Sequence, residues 1–317
     1  MIAESPIENF LTSEQYIEAA ATQRREIKVT CGYPIQFLSD TLVGIHPKEL
    51  IVIGSSSGCG KSELVEQIAF HNAMQGQRVA LFSLEGDENE FADRQRWKAL
   101  CALTKNKFIQ DGYTYMHYRL NRIPDLEPYE EFINKDLKTK LKNIYLYDKR
   151  QNLNARNVSN RLTAIAPHVD LIIIDHLHYF EMLETSSENF QLTGIMMTIN
   201  NLLRVINIPI IVVSHIRKPE SMGLVMPSKE DFMGSSNIYK VANTCIMMAP
   251  NLEAYDDIRE EYPTLFRVVK SRGGASTSLI GQHTFKKKEL MYMPTYKKMK
   301  VIAGGKSVVE LGPEVKC

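Results

Sequence analysis

The chain has 317 residues, of which 44% are hydrophobic, and its formal net charge is +1. This length allows one large core or two modest ones, and the composition is that of a globular protein. The near-zero charge excludes a surface that is basic throughout, so a polyanionic partner would need a local patch. No apolar run reaches the roughly 18 residues that span a bilayer, so no membrane association is expected.

The cysteines and the N-terminus indicate the compartment. The five cysteines occur singly, without a CxxC pair, which favours reduced thiols over a disulfide framework or a zinc site. The N-terminal stretch "MIAESPIENF" has acidic residues where a signal peptide carries positive charge. We therefore expect a cytoplasmic protein.

The first part of the chain, residues 1–30, is predicted to be an arm that precedes a domain over 31–317. Thr12 and Gln15 have the spacing of a capping box, which predicts a helix over 13–25. Its apolar face is too thin to form a core of its own. We expect the helix to dock either on its own domain or on a neighbouring subunit.

Alternating strand and helix patterns follow. Five apolar runs are separated by helical patterns, and a sixth run follows them. This pattern predicts a mostly parallel sheet with helices on both faces, an α/β fold. Three further runs joined by short turns predict an antiparallel C-terminal edge, and residues 104–143 predict a helical insert. The six runs are 50–53, 79–83, 144–147, 171–174, 210–213 and 244–248, and the three later ones are 266–270, 279–285 and 290–293.

The stretch "VIGSSSGCGKSELVEQIAFH" ends a strand with small residues and then opens a helix at Ser62. Backbone amides in such a turn surround a phosphate at the helix N-terminus. Lys61 would contact the β- and γ-phosphates of a nucleotide, and the Ser62 hydroxyl would bind Mg²⁺. Ser55 stands where a strict motif has glycine. The predicted nucleotide-binding residues are Ser57, Gly58, Cys59, Gly60, Lys61, Ser62 and Glu63.

Two carboxylates follow strands of the predicted sheet. Asp175 ends the run "LIIID", where it would reach the Mg²⁺ shell through water, unless it is an ordinary strand-end aspartate. Glu85 follows "VALFSL" and would orient and deprotonate an attacking water, unless it is a surface-loop acid. The strand ends of such sheets line the ligand crevice, which favours a catalytic role for Glu85 and a metal-binding role for Asp175.

Three further side chains suit phosphate sensing and charge stabilisation. His215 ends the run "PIIVVSH", where a neutral imidazole could contact the γ-phosphate or its water. Lys270 and Arg272 lie two residues apart on a predicted strand and so point the same way. An arginine from a neighbouring subunit would stabilise a phosphoryl transition state. The alternatives are a hydrogen-bonded histidine and a solvated basic edge.

Taken in order, these motifs resemble the RecA-like motor domain of DnaB/Twinkle-type hexameric replicative helicases, and are most similar to the helicase half of phage primase-helicases. The resemblance covers residues 40–293. It implies a RecA-like P-loop NTPase fold and the cofactors ATP and Mg²⁺. By the same resemblance, Glu85 is the catalytic glutamate, Asp175 the Walker B carboxylate and His215 the phosphate sensor. Lys270 and Arg272 form the Lys-x-Arg strand whose arginine reaches the neighbouring subunit's ATP.

The resemblance also implies partners: single-stranded DNA, further copies in a ring-shaped homo-oligomer (expected to be a hexamer), and a separate primase or loader. Two loops would line the central channel, over 180–192 and 217–231. Arg217, Lys218 and Lys229 of the second suit backbone phosphates. The first is acidic and offers Asn189. No basic run interleaved with aromatic residues occurs, so we expect sequence-independent binding.

Two functions remain open. The first is an ATP-dependent DNA helicase or translocase on single-stranded DNA, acting in replication in a bacterial or phage-infected cell. The second is a RecA-like ATP-dependent switch or assembly protein with little unwinding. The acidic first loop favours the second, as do Met233, Lys240 and Asn243, where the family often has a basic residue, Gln and Asp.

Overall fold

The computed structural model describes residues 12–26, 30–86, 89–147, 152–181, 187–216, 226–228, 231, 236–275, 278–301 and 308–310. Among these residues, ten strands form one sheet. The strands are β1 Leu50–Ser55, β2 Val79–Ser83, β3 Ile144–Leu146, β4 Leu171–Asp175, β5 Ile210–His215, β6 Thr244–Pro250, β7 Glu261–Ser271, β8 Leu279–Lys286, β9 Met291–Val301 and β10 Val308–Glu310.

The sheet has a parallel part and an antiparallel part. The strand order is β10-β9-β8-β7-β6-β1-β5-β4-β2-β3. Strands β6, β1, β5, β4, β2 and β3 run parallel, and β7 to β10 extend the sheet antiparallel beyond β6. This arrangement confirms the predicted RecA-like α/β class with an antiparallel C-terminal edge.

Helices cover both faces of the sheet. The helices are α1 Ser13–Glu26, α2 Gln36–Leu42, α3 Lys61–Met74, α4 Glu90–Leu103, α5 Lys107–Gln110, α6 Tyr115–Arg119, α7 Glu127–Lys140, α8 Val158–Ile165, α9 Glu188–Ile206 and α10 Ser236–Val241. Short 3₁₀ turns lie at Ala166–His168, Leu177–Tyr179 and Leu252–Ala254. No helix in the described part of the chain is both long and apolar enough to cross a membrane.

Side chains of the central strands point alternately to the two faces of the sheet, so the core has two layers. Leu50 and Val52 of β1 pack with α8 and α9 on one face, whereas Ile51 and Ile53 pack with α2 and α3 on the other. All four side chains are completely buried. Side chains of a strand point alternately to opposite faces, so a β-branched run without polar residues fits a strand that is covered twice.

Helices α4 to α7 form a third apolar cluster, which confirms the predicted helical insert. Trp97 is completely buried in this cluster, and its indole N–H donates to the carbonyl of Lys288, 2.7 Å away. Pro128 stands in the first turn of α7, where the missing N–H costs nothing. The cluster, which includes helices α5 to α7 of the predicted insert, is therefore tied to the hairpin between β8 and β9.

The predicted capping box of the arm is present. The Thr12 amide donates to Gln15 Oε1 at 2.8 Å, and the Gln15 amide donates to Thr12 Oγ1 at 3.2 Å. Helix α1 then runs to Glu26, one residue beyond the prediction. Ile17 is exposed on this helix. The separation of arm and domain, and the surface on which the arm docks, stay predictions.

Four details differ from the sequence-based expectations. Strand β3 lies at the outer edge of the sheet and leaves Tyr145 42% and Leu146 48% exposed, so it is not covered on both faces. Strand β10 was not predicted. The predicted loop over 180–192 ends early, because α9 begins at Glu188. Helix α3 begins at Lys61, one residue before the prediction.

The register of the parallel strands brings the candidate residues together. Ser55 pairs with His215 across β1 and β5, and Ser83 pairs with Asp175 across β2 and β4. All four lie at the carboxyl ends of their strands, where ligands bind in open α/β sheets. The phosphate loop leaves β1 at this edge, so the fold places the predicted loop beside the predicted carboxylate and histidine.

Candidate nucleotide site

A cavity of about 420 Å³ opens at the carboxyl edge of the parallel strands. It unites most of the predicted site, namely Ser57, Gly58, Gly60, Lys61, Ser62, Glu63, Glu85, Asp175 and His215. Gly58 and Gly60 have φ angles of 80° and 73°, a left-handed conformation that favours glycine. The loop therefore has the backbone shape that the sequence predicted.

Lys61 places a positive charge in the lining of the cavity. The side chain is buried, and Nζ donates to the carbonyls of Ser56 at 2.8 Å and Ser55 at 3.3 Å. Burial lowers the pKa of Lys61, although Asp175 and Glu85 oppose this effect through their charge. A cation that is held in this way suits an anionic ligand in the loop.

Asp175 is a buried carboxyl group at the cavity. Burial raises its pKa to about 7, and a hydrogen bond from the Ser62 hydroxyl partly opposes the shift. Among the described residues, Oδ1 has no hydrogen-bond partner. Because buried polar atoms normally have partners, this oxygen is suited to a water of a hydrated divalent cation.

The residues present fit Mg²⁺ rather than a metal held by protein ligands alone. The described residues contain no group of three or more His, Cys, Asp and Glu side chains arranged to hold a metal ion. Mg²⁺ usually keeps several waters and binds through one or two protein groups together with substrate phosphates. Ser62 and Asp175 are such a pair.

Glu85 stands at the mouth of the cavity, with its side chain 45% exposed. The Tyr179 hydroxyl donates a hydrogen bond to Glu85. His176 Nε2 lies 3.2 Å from Glu85 Oε2. Neither neighbour was predicted as a site residue, although both lie in the stretch "DHLHY" that follows β4. A partly exposed carboxylate that is held by a hydrogen bond from Tyr179 can accept a proton from a water in the cavity.

Three histidine rings form a cluster, and one of them, His176, contacts Glu85. The ring centroids of His176 and His215 are 4.1 Å apart, and that of His178 is 5.5 Å from His215. Burial lowers the pKa of His176 to about 3 and that of His215 to about 4, with the charge of Lys61 adding to both shifts. His215 is therefore neutral at pH 7, as predicted for a phosphate sensor, and can donate from one nitrogen and accept at the other.

A further charged network, which was not predicted, forms one wall of the cavity. Arg94 of α4 lies 3.0 Å from Glu66, 2.5 Å from Glu90 and 3.7 Å from Glu63. Glu66 is buried and also accepts from Lys98 at 3.3 Å. Only the i,i+4 spacing of Glu90 and Arg94 is visible in the sequence, since the contacts with Glu63 and Glu66 join two helices that follow different strands.

Cys59 differs from the other predicted nucleotide-binding residues. Its side chain is buried, with Sγ 3.1 Å from the Ser56 hydroxyl oxygen. Its carbonyl accepts a hydrogen bond from Tyr292. Cys59 therefore contributes backbone to the loop, and its thiol does not line the cavity.

Lys270 and Arg272 lie away from this cavity. Lys270 Nζ donates to the carbonyls of Tyr239 and Lys240 at 2.5 and 3.0 Å, and Arg272 donates to the Lys240 carbonyl at 3.4 Å. Both side chains thus reach the C-terminal end of α10, where cations are favoured. Arg272 follows the last residue of β7 instead of lying on the strand, but the two cations do point the same way.

Asn243 links the start of β1 to Arg272. Its side-chain oxygen accepts from the Leu50 amide at 3.0 Å, and its own amide donates to the Leu50 carbonyl at 2.8 Å. The Asn243 carbonyl accepts from the Arg272 amide at 3.1 Å. Asn243 stands where the family often has Asp, and a carboxylate oxygen could accept from Leu50 equally.

The predicted DNA-binding residues are mostly beyond the structural description. Arg217, Lys218 and Lys229 lie outside the described residues, as does Met233. Asn189 lies in the first turn of α9 and is exposed, and its carbonyl accepts from the Thr193 hydroxyl at 2.8 Å. Lys240 is exposed at the end of α10. DNA contact by Arg217, Lys218, Lys229 and Asn189 stays a prediction.

The sheet order, the phosphate loop and the carboxyl-edge cavity define a P-loop NTPase with a RecA-like core. The family described as DnaB-like helicase C terminal domain matches residues 32–291. The chain therefore belongs to the DnaB-like helicase C-terminal domain family. A search of curated proteins found no match.

Solved structures share the fold at low sequence identity. A DnaB-like replicative helicase, described with its interactions with primase, has a TM-score of 0.68 at 14% identity over 90% of this chain and 67% of that chain. The ATPase domain of a phage helicase has a TM-score of 0.69 at 14% identity, over 90% and 99%. A KaiC-like protein from Pyrococcus horikoshii has a TM-score of 0.54 at 12% identity, over 83% and 98%.

Proposed function

We propose that this protein is an ATP-dependent translocase on single-stranded DNA that acts as a ring-shaped homo-oligomer, most simply a hexamer, in DNA replication. The observation that carries the proposal is the convergence of Lys61, Ser62, Asp175, Glu85 and His215 on one cavity of a family member. These side chains come from four different strand ends, so their meeting depends on the fold and not on local sequence.

The chemistry at the cavity is hydrolysis of ATP. The amides of residues 57–62 and Lys61 bind the phosphates, and Mg²⁺, held by Ser62 and through water by Asp175, would stabilise charge on the phosphate oxygens. Glu85 orients the attacking water and accepts its proton. His215, neutral and beside the cavity, contacts the γ-phosphate or that water.

Arg272 acts on the ATP of a neighbouring protomer. It is absent from the cavity lining of its own chain, where the described cations are Lys61 and Arg94. A guanidinium that arrives from outside would stabilise charge on the transferred phosphoryl group, and Lys270 would support it. The Arg272 hydrogen bond of 3.4 Å to Lys240 is long, so little is lost when the side chain moves.

DNA would pass the loops that follow β4 and β5. Arg217, Lys218 and Lys229 would contact backbone phosphates and Asn189 would add a polar contact, which gives salt-sensitive, sequence-independent binding. A separate primase or loader is the expected protein partner, and one of the similar solved structures is described together with primase.

The test is the steady-state ATPase rate with and without single-stranded DNA, combined with the mass of the assembly. We expect DNA to stimulate hydrolysis and the mass to be a multiple of the protomer. Lys61→Ala serves as the inactive control. Hydrolysis that ignores DNA would favour the switch or assembly function, and full activity from a monomer would exclude both an interprotomer site and the ring.

A further inference from the structure

Tyr292 of β9 lies directly beneath the phosphate loop. Its side chain is completely buried, and its hydroxyl donates to the carbonyl of Cys59 at 2.7 Å. Burial raises the pKa of Tyr292 well above its usual range, so the hydroxyl stays protonated and available as a donor. The sequence predicted this residue only as part of an edge strand, without a role in the site.

The acceptor is part of the peptide group between Cys59 and Gly60. A trans peptide is planar, and its carbonyl and N–H point in opposite directions. A bond that holds the Cys59 carbonyl down towards Tyr292 therefore aims the Gly60 N–H the other way, towards the cavity that Gly60 lines. That N–H is one of the donors expected to surround a phosphate.

Tyr292 is anchored to α3 and lies close against Gly60. Gln67 of α3 forms a reciprocal pair with the backbone of Tyr292, donating to its carbonyl and accepting from its amide, each at 3.0 Å. A methyl group placed on Gly60 would lie 2.6 Å from the Tyr292 hydroxyl oxygen. Tyr292 is thus anchored to the helix that follows the loop and leaves room for glycine alone at position 60.

We infer that Tyr292 is a positioning residue of the nucleotide site, which presets the Cys59–Gly60 peptide for phosphate binding before the ligand arrives. This inference rests on the proposed nucleotide-binding function. Without the hydroxyl, the peptide also populates other orientations. Ligand binding must then select the competent one, which lowers the apparent affinity by the fraction that remains competent.

The experiment compares Tyr292→Phe with Tyr296→Phe. Both variants remove one hydroxyl from a buried tyrosine of β9, but the Tyr296 hydroxyl donates to Asp40 at 2.8 Å, away from the loop. Calorimetric titration with ADP and with a non-hydrolysable ATP analogue gives the dissociation constants. We expect Tyr292→Phe to weaken binding about fivefold and Tyr296→Phe to leave it unchanged.

Steady-state kinetics provide the second measurement. We expect Tyr292→Phe to raise KM for ATP and to change kcat little, because Glu85 and the water it orients are untouched. A third variant, Gln67→Met, loosens the anchor while keeping the hydroxyl, so it should weaken binding in the same direction. If Tyr292→Phe does not fold, the nucleotide affinity of Gln67→Met still tests the inference.

The outcomes separate the inference from the proposed function. If wild-type protein binds neither ligand, the nucleotide function itself fails. If wild-type protein binds and the folded Tyr292→Phe variant binds equally well, only the role of Tyr292 is refuted. Equal weakening by Tyr292→Phe and Tyr296→Phe would also refute it, because the effect would then reflect general loss of strand stability.

Discussion

His176 and Glu85 meet across two neighbouring parallel strands, with His176 Nε2 3.2 Å from Glu85 Oε2. Burial keeps the imidazole neutral by lowering its pKa to about 3, so this contact is a polar approach and not an ion pair. The Tyr179 hydroxyl donates a hydrogen bond to Glu85. Glu85 is thereby held at the cavity by residues of the segment that leads from β4 to the first predicted DNA loop.

We expect Glu85→Gln to bind ATP with near-normal affinity and to hydrolyse it at least about 100-fold more slowly, because the amide cannot accept a proton. Single-turnover hydrolysis and nucleotide titration measure the two properties. The partly exposed site keeps the fold intact, which thermal melting would verify. Turnover close to that of wild-type protein would place the general base elsewhere.

His176→Phe should lower kcat about tenfold and leave KM nearly constant, because the flat ring is kept while the polar nitrogen 3.2 Å from Glu85 is lost. His178→Phe is the matched control, since His178 belongs to the same ring cluster and its contacts there are with His176 and His215. Equal losses of kcat in both variants would show that ring packing, and not the contact with Glu85, limits hydrolysis.

Arg272→Ala should abolish most hydrolysis while nucleotide affinity stays largely intact, since the guanidinium acts across an interface. Mixing Arg272→Ala with Lys61→Ala protomers should restore part of the activity, because some interfaces then combine an intact loop with an intact arginine. The measurement is the ATPase rate across mixing ratios, with co-assembly verified by mass. Co-assembled mixtures that never regain activity would contradict the assignment in trans.

Asp175→Asn should stabilise the fold while abolishing hydrolysis. Because burial raises the Asp175 pKa from 3.8 to about 7, the folded state binds this proton more tightly than the unfolded state does. The group's contribution to stability is therefore complete below about pH 4 and is lost as the pH rises to about 7. The asparagine variant carries no such charge, so its advantage over wild type should grow over this window.

Urea denaturation at pH 5.5 and pH 8 measures that difference. We expect the free energy of unfolding of Asp175→Asn to exceed that of wild type by more at pH 8, by an amount on the order of a few kcal/mol at most. Other groups, such as His215, titrate in both proteins and cancel in the comparison. A difference that does not change with pH would show that Asp175 is charged in the folded state throughout.

The central strands and the phosphate loop could be predicted because their signals are local. An apolar, mostly β-branched run such as 50–53 favours a strand that is buried on both faces, and "GCGKS" between a strand and a helix predicts a tight phosphate-binding turn. Asp175 and His215 end neighbouring parallel strands, and both line the cavity, as their positions at the ends of apolar runs predicted. The order of motifs was enough to anticipate the family.

The contacts around these residues could not be predicted, because they depend on register and on distant elements. Tyr292 reaches Cys59 across 233 positions of sequence, and no periodicity marks that pairing. Arg94 of α4 and Glu66 of α3 meet only because the fold brings the two side chains within 3.0 Å. The exposed face of β3 follows from its place at the end of the strand order, which the apolar run 144–147 does not reveal.

The contacts of Asn243 have a mechanical consequence. Strand β1 carries the phosphate loop at its C-terminal end. At its N-terminal end, Asn243 joins β1 to Arg272, which is proposed to act on the ATP of the adjoining protomer. The phosphate loop and Arg272 are therefore attached to hydrogen-bonded strands of one sheet, which resists their displacement relative to each other. In a ring, opening and closing of the ATP seam would then come from tilting of entire subunits, and bending within a subunit would contribute little.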